Sequence, residues 1–167
     1  MACAARGALV VVDPLVPSGR EAAFWAEMDG LVTEHGPRVV VVTTIRWHRR
    51  DREAFVARYD ATASRAKAAL PDGVSPVPVR RGGEVMVWLQ EHGALVPGDR
   101  LIGDGAGGVR LCPPSWLDYL RTKMTIAELR AALAPLRDLP VDMVLVSHGD
   151  PVVRGGARAI ERALASA

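Results

Sequence analysis

His48, Asp51, Asp99, His148 and Asp150 are the side chains of this sequence whose types suit metal chemistry. Imidazole nitrogens and carboxylate oxygens bind zinc, manganese or iron, and a catalytic ion keeps one position open for water. Their places along the chain are alike. His48 and Asp51 follow the apolar run VVVVTTIRW, Asp99 closes ALVPGD, and His148 and Asp150 follow VDMVLVS. Loops at strand ends in layered α/β folds meet along one rim, where sites are built.

Each of these residues also has a purely structural reading. His148 in SHGD can hydrogen-bond within its own loop, and Asp99 after Gly98 is an ordinary turn residue, because Asp bonds nearby backbone N–H groups. His48 beside Trp47 can be a packed or surface histidine, and Asp51 the N-terminal charge of the helix that follows. His35 at a helix C-terminus and His92 in a turn need no functional account.

The elements that must position these side chains follow from periodicity. ALVVV, residues 8 to 12, reads as a buried strand ended by Asp13-Pro14. Ser18 and Glu21 have the spacing of a capping box, and a helix with apolar Phe24, Trp25, Met28, Leu31 and Val32 ends near His35, before Gly36-Pro37. VVVVT, residues 39 to 43, is a second strand, followed after its loop by a helix from about Arg50 to Tyr59. ATASRAKAAL is compatible with a helix, and the two prolines of GVSPVPV limit it to an edge strand. EVMVWL, residues 84 to 89, and ALVPGDRLIG form a hairpin around QEHG. The segment from Gly103 to Ser115 reads as a loop. Thr125 and Glu128 cap a helix ending near Asp138, VDMVLV is a buried strand, and GGARAIERALA is a closing helix.

In this order the chain resembles the metallo-β-lactamase-fold superfamily. ALVVVDP resembles its first strand with a terminal Asp, VVVVTTIRWHRRD stands where the family has a strand running into THxHxDH, ALVPGDRL matches its Gly-Asp element, and VLVSHGDPV matches its last strand and GHG-like loop. The resemblance implies an α/β fold, a metallo-β-lactamase-like αββα sandwich forming one domain over residues 1–167, truncated at its N-terminus because the strands that precede ALVVVDP in the family are missing. It implies that Asp99 takes the place of a metal-binding carboxylate and His148 that of the final His ligand. With His48 and Asp51 they make a set of two imidazoles and two carboxylates for one ion.

The departures are as informative. With His48 set at the second His of THxHxDH, Asp51 falls where the last His would be and Arg50 replaces the acid that activates water; another alignment places His48 elsewhere in the motif. The family's middle His would fall around Val79 to Gly83, and PVRRGG contains none. Two functions therefore stand side by side. One is a metal-dependent hydrolase with a reduced site, using zinc, or manganese or iron, on an ester, thioester or related bond. The other is a metal-free pseudoenzyme that binds a ligand or a protein.

Bulk properties narrow the partners. A chain of 167 residues with 49% hydrophobic and 24% charged residues folds, and a formal charge of +2 gives no general attraction to nucleic acid or membrane. Arg46, Arg49, Arg50, Arg52 and Arg58 cluster, either as a solvated helix face or as a rim that attracts an anionic small molecule. They lack the aromatic interleaving of a nucleic-acid surface. Two cysteines, Cys3 and Cys112, are too few for a disulfide framework, so a cytoplasmic protein is expected. GDGAGG fits GxGxxG through Gly103, Gly105 and Gly108, but VRLCPP after it cannot open the helix a nucleotide site needs. Ser147 lies in no GxSxG elbow.

Overall fold

The computed structural model describes residues 1–64 and 70–166. It is a mixed α/β structure whose chain divides into two compact units, Met1–Ser75 and Pro76–Ala167.

In the first unit, β1 (Ala2–Ala5) turns through Arg6-Gly7 into β2 (Ala8–Val12) as an antiparallel hairpin. One strand therefore does precede ALVVV, where the sequence pattern led us to expect none. α1 (Glu21–His35) carries the chain over to β3 (Val39–Val42), which lies parallel to β2 with Leu9 opposite Val39 and Val12 opposite Val42. Every residue of β2 and β3 is buried, the pattern of a parallel sheet covered on both faces. α2 (Arg52–Tyr59) then leads to β4 (Thr62–Ser64), parallel to β3, and the sheet order is β1-β2-β3-β4. Leu9, Val11, Val39 and Val41 pack with Met28 and Phe55, and Phe24, Trp25 and Tyr59 close the cluster.

Two sequence expectations change here. Ser18 does not cap α1: Gly19 has φ +77° and Arg20 N–H bonds the Pro17 carbonyl, so a turn occupies these residues and the helix opens at Glu21. Glu21 Oε1 instead accepts the Gly19 N–H at 2.9 Å. Of the possible helix ATASRAKAAL, Thr62–Ser64 is strand β4, because it completes the parallel sheet beside β3, and residues 65–69 lie outside the described residues.

The second unit is built on a sheet of order β10-β7-β6-β5. β5 (Val74–Val79), with Pro76 and Pro78, takes the edge as its prolines require. β6 (Glu84–Leu89) and β7 (Ala94–Val96) are the expected antiparallel pair, turned by Gln90–His92 and by Gly93 in the left-handed region. β8 (Leu101–Gly103) and β9 (Val109–Leu111) make a separate hairpin. The segment after Gly103 is thus not a plain loop: Asp104 Oδ1 accepts the N–H groups of Ala106 and Gly108 at 2.7 and 2.8 Å, folding GDGAGG into a turn that returns as strand.

α3 (Ile126–Leu133) has the expected capping box between Thr125 and Glu128, and a 3-10 turn continues it to Asp138. β10 (Met143–Val144) runs parallel to β7 and is shorter than VDMVLV suggested, although the Leu145 N–H still reaches the Leu95 carbonyl at 2.9 Å. α4 (Gly156–Ala165) lays Ala159, Ile160, Ala163 and Leu164 on the core with Leu95, Leu101, Leu129 and Leu133.

Candidate metal centre

In the first unit, β2 and β3 end side by side, which brings the residues after them together. Asp13 N–H bonds the Val42 carbonyl at 2.9 Å, and Asp13 adopts φ +47°, a left-handed conformation that Asp tolerates better than most residues. Its carboxylate turns to the end of β3. Oδ1 accepts the Thr44 N–H at 2.8 Å, and Oδ2 accepts the Thr44 hydroxyl and lies 2.9 Å from His48 Nδ1. Asp13 and His48 are only 6% and 3% exposed. A buried carboxylate that already accepts the Thr44 hydroxyl acts as acceptor toward the ring as well, so Nδ1 of His48 donates to Asp13. This is the way a carboxylate orients a metal-binding imidazole.

Asp51 follows three residues on from His48. Its Oδ2 accepts the Val16 N–H at 2.7 Å, and its own N–H bonds the Pro14 carbonyl at 3.2 Å, so it staples the loop after β2 to the start of α2. Arg50, beside it, has φ +37°, which makes Asp13 and Arg50 two non-glycine residues with left-handed backbone in adjoining loops. The neighbouring arginines are held locally: Arg49 and Arg52 both reach Glu53 at 2.7 Å, Arg58 reaches Asp29 at 2.6 Å, and Arg46 lies over the Trp47 ring.

In the second unit, the β7–β8 corner and the loop after β10 meet. Asp99 Oδ1 lies 3.2 Å from His148 Nε2, with Asp99 buried and the His148 side chain 45% exposed. Two devices set this distance. The first is Glu84, fully buried at the start of β6, whose carboxylate accepts the N–H groups of Gly98, Asp99 and Arg100 at 2.9, 2.6 and 3.0 Å. Burial pushes the Glu84 carboxyl up to about 7, against the pull of those backbone donors and of Arg100. The second is a glycine crossing. Gly103 N–H bonds the His148 carbonyl at 2.9 Å, and a Cβ on Gly103 would meet the Asp150 N and O at 2.7 Å. Only backbone without a side chain lets the His148 loop lie this close to β8. The loop is closed at its base by paired bonds between Val144 and Val152, and Trp116 packs edge-on against the His148 ring at 5.1 Å.

Asp99 and His148, distant in sequence, are therefore brought together, and His48 is joined to Asp13. Asp150 is exposed on the loop tip. Asp13 and Glu84 are positioning residues that reading for ligands missed. Asp13 was visible as the acid ending ALVVVDP; Glu84 had only the anomaly of an acid opening a buried strand.

No family profile matches the sequence, and no curated protein matches it. Its structure has clear counterparts. The protein TTHA1623, solved in a di-iron-bound form, superposes with a TM-score of 0.64 at 14% identity, over 98% of this chain and 91% of that one. The metallo-β-lactamase DIM-1 gives 0.57 at 14% identity, over 98% and 83%. The chain has the metallo-β-lactamase fold. TTHA1429 from Thermus thermophilus, a metallo-β-lactamase family protein, gives 0.52 at 19% identity, over 97% and 72%. Within the metallo-β-lactamase fold, the Gly-Asp corner and the SHGD loop expected to approach each other do so. The histidine-rich loop is replaced by one imidazole seated on Asp13.

Proposed function

We propose that residues 1–167 work as one metallo-β-lactamase-like domain whose Asp99 and His148 hold a divalent cation, with His48 as a further ligand, and that the protein hydrolyses an ester, thioester or related bond in a small molecule. The observation that carries this reading is the 3.2 Å approach of Asp99 and His148, fixed from behind by Glu84 and the Gly103 crossing. The donors fit such an ion: Asp99 is a buried carboxylate, His148 an accessible imidazole, and His48 an imidazole held through Nδ1 by Asp13. Zinc, manganese and iron all accept this set. When bound, the ion acidifies water and polarises a carbonyl. Asp51, the fourth candidate, is engaged with the Val16 N–H and serves the loop that carries His48. Arg50 cannot act as a base, and Arg46 and Arg50 on that loop favour an anionic substrate. Among the described residues no helix is long and apolar enough to cross a membrane, and with two unpaired cysteines this fits a protein of the cytoplasm.

The test is metal analysis of protein purified without chelator, followed by hydrolysis of a panel of esters and thioesters with and without chelator. Metal near one equivalent, lost in Asp99→Ala and His148→Ala together with chelator-sensitive turnover, supports the proposal. Trace metal with turnover unchanged in both variants overturns it. A metal-free binding protein is the second reading, favoured by the use of Asp51 as a backbone staple; chelator-sensitive turnover excludes it.

A further inference from the structure

A second place in the fold carries polar chemistry that the metal reading leaves unused. In the second unit, β9, α3 and α4 surround an open cavity of about 580 Å³. That volume suits a small organic ligand. Arg110 from β9, Arg130 from α3 and Arg162 from α4 line it, opposed by one carboxylate, Asp104, so these ionic groups sum to three positive and one negative. Asp104 is already engaged, because the N–H groups of Ala106 and Gly108, with a smaller contribution from the Arg162 charge, hold its carboxyl below the usual carboxylate range.

The three arginines differ from those elsewhere on the surface. Arg49, Arg52, Arg58, Arg81 and Arg137 each pair with a carboxylate. Among the described residues none of the cavity arginines is hydrogen-bonded to a carboxylate, although the charge of Arg162 acts on nearby Asp104. Arg110 reaches the Leu111 carbonyl at 3.4 Å, Arg130 donates to the Ser166 carbonyl, and the buried Nε of Arg130 has no acceptor. Guanidinium groups around one cavity with no carboxylate hydrogen-bonded to them favour an oxyanion, with which a guanidinium can form two parallel bonds. The remaining wall is apolar, from Val109, Leu111 and Ile126 with buried Ala163, so a bare inorganic anion would leave it unfilled.

We propose that this cavity binds a small amphipathic anion, an alkyl carboxylate or alkyl phosphate, its head on Arg110, Arg130 and Arg162 and its apolar body along Val109, Leu111 and Ile126. None of these residues belongs to the Asp99–His148 pair, so the binding is independent of the metal reading.

Calorimetric titration of the full chain with octanoate, hexyl phosphate, inorganic phosphate and octylamine tests this. One saturable site for octanoate or hexyl phosphate is expected, weakened by added salt, with little binding of inorganic phosphate and none of octylamine. Comparing the two alkyl anions decides whether the head is carboxylate or phosphate. Replacing Arg130 and Arg162 together by Gln should weaken binding at least tenfold. The exposed Arg162→Gln alone, which disturbs no packing, should weaken it severalfold, while Arg58→Gln on the other unit should not change it. Absence of a saturable site for both alkyl anions, equal binding of octylamine, or unchanged affinity in Arg162→Gln would overturn the proposal.

Discussion

Asp13 Oδ2 lies 2.9 Å from Nδ1 of His48, and both side chains are buried at the ends of neighbouring parallel strands. The contact holds the ring through Nδ1, so the acid after ALVVV orients the imidazole after VVVV.

Replacing Asp13 by Ala strips an acceptor from His48, from the Thr44 hydroxyl and from the Thr44 N–H at once. Each buried donor left without an acceptor costs about 1–3 kcal/mol. Denaturant unfolding should show a loss of at least about 2 kcal/mol. Zinc affinity should fall by roughly 10–100-fold in a stable Asp13→Asn protein, as for other orienting partners of metal-binding histidines. Unchanged zinc affinity would remove His48 from the ligand set.

Glu84 makes stability depend on pH. Its folded pKa of about 7 stands above the ordinary value of 4.5. Between those values the folded chain holds more protons than the unfolded one, so stability is highest below about 4.5 and falls as pH rises through 7. Unfolding of chelator-treated protein followed from pH 4.5 to 8 should show this negative slope on top of the other titrations, and Glu84→Gln should flatten it. Above pH 7 the same variant places an amide NH2 against a backbone N–H and should lose about 1–3 kcal/mol.

Gly149 tests the loop crossing. It has φ +80°, and a Cβ there would sit 3.0 Å from the Gly103 Cα. Gly149→Ala should cost about 1–2 kcal/mol for the left-handed backbone alone, with more from the contact. Because the loop must shift, the His148 ring resonances should move in NMR spectra; spectra matching the parent protein would show that the crossing does not set the His148 position.

Phe55 anchors the first unit. It is fully buried, with the Trp25 ring 4.9 Å away and the rings of Phe24 and Tyr59 each at 6.0 Å. Phe55→Ala should lower stability by about 3–5 kcal/mol. A loss under about 1 kcal/mol would mean the aromatic cluster collapses into the space, which the three remaining rings, held by α1 and α2, oppose.

The sequence by itself determined the strands and helices whose signals are local. Unbroken valines in β2 and β3, the Thr125–Glu128 box, the prolines of β5 and the turn at Gly93 act through neighbours in the chain, and each element formed where its pattern lies. Local chemistry misled where signals competed or where a strand was decided by its sheet partner, as at β1 and β4. At Ser18 a glycine turn displaced the cap, and at Gly103–Leu111 the Asp104 side chain turned a glycine-rich segment into a hairpin. The order of the Asp and His loops resembles that of the metallo-β-lactamase superfamily, and the tertiary structure has that fold. Tertiary structure alone decided what each acid does. Asp51, Asp13, Glu84 and Asp99 are the same chemistry in sequence, yet one staples a loop, one orients an imidazole, one holds three backbone amides, and one meets His148. A carboxylate's role is set by the donors that surround it, and those donors come from distant strands whose pairing the chain order does not reveal.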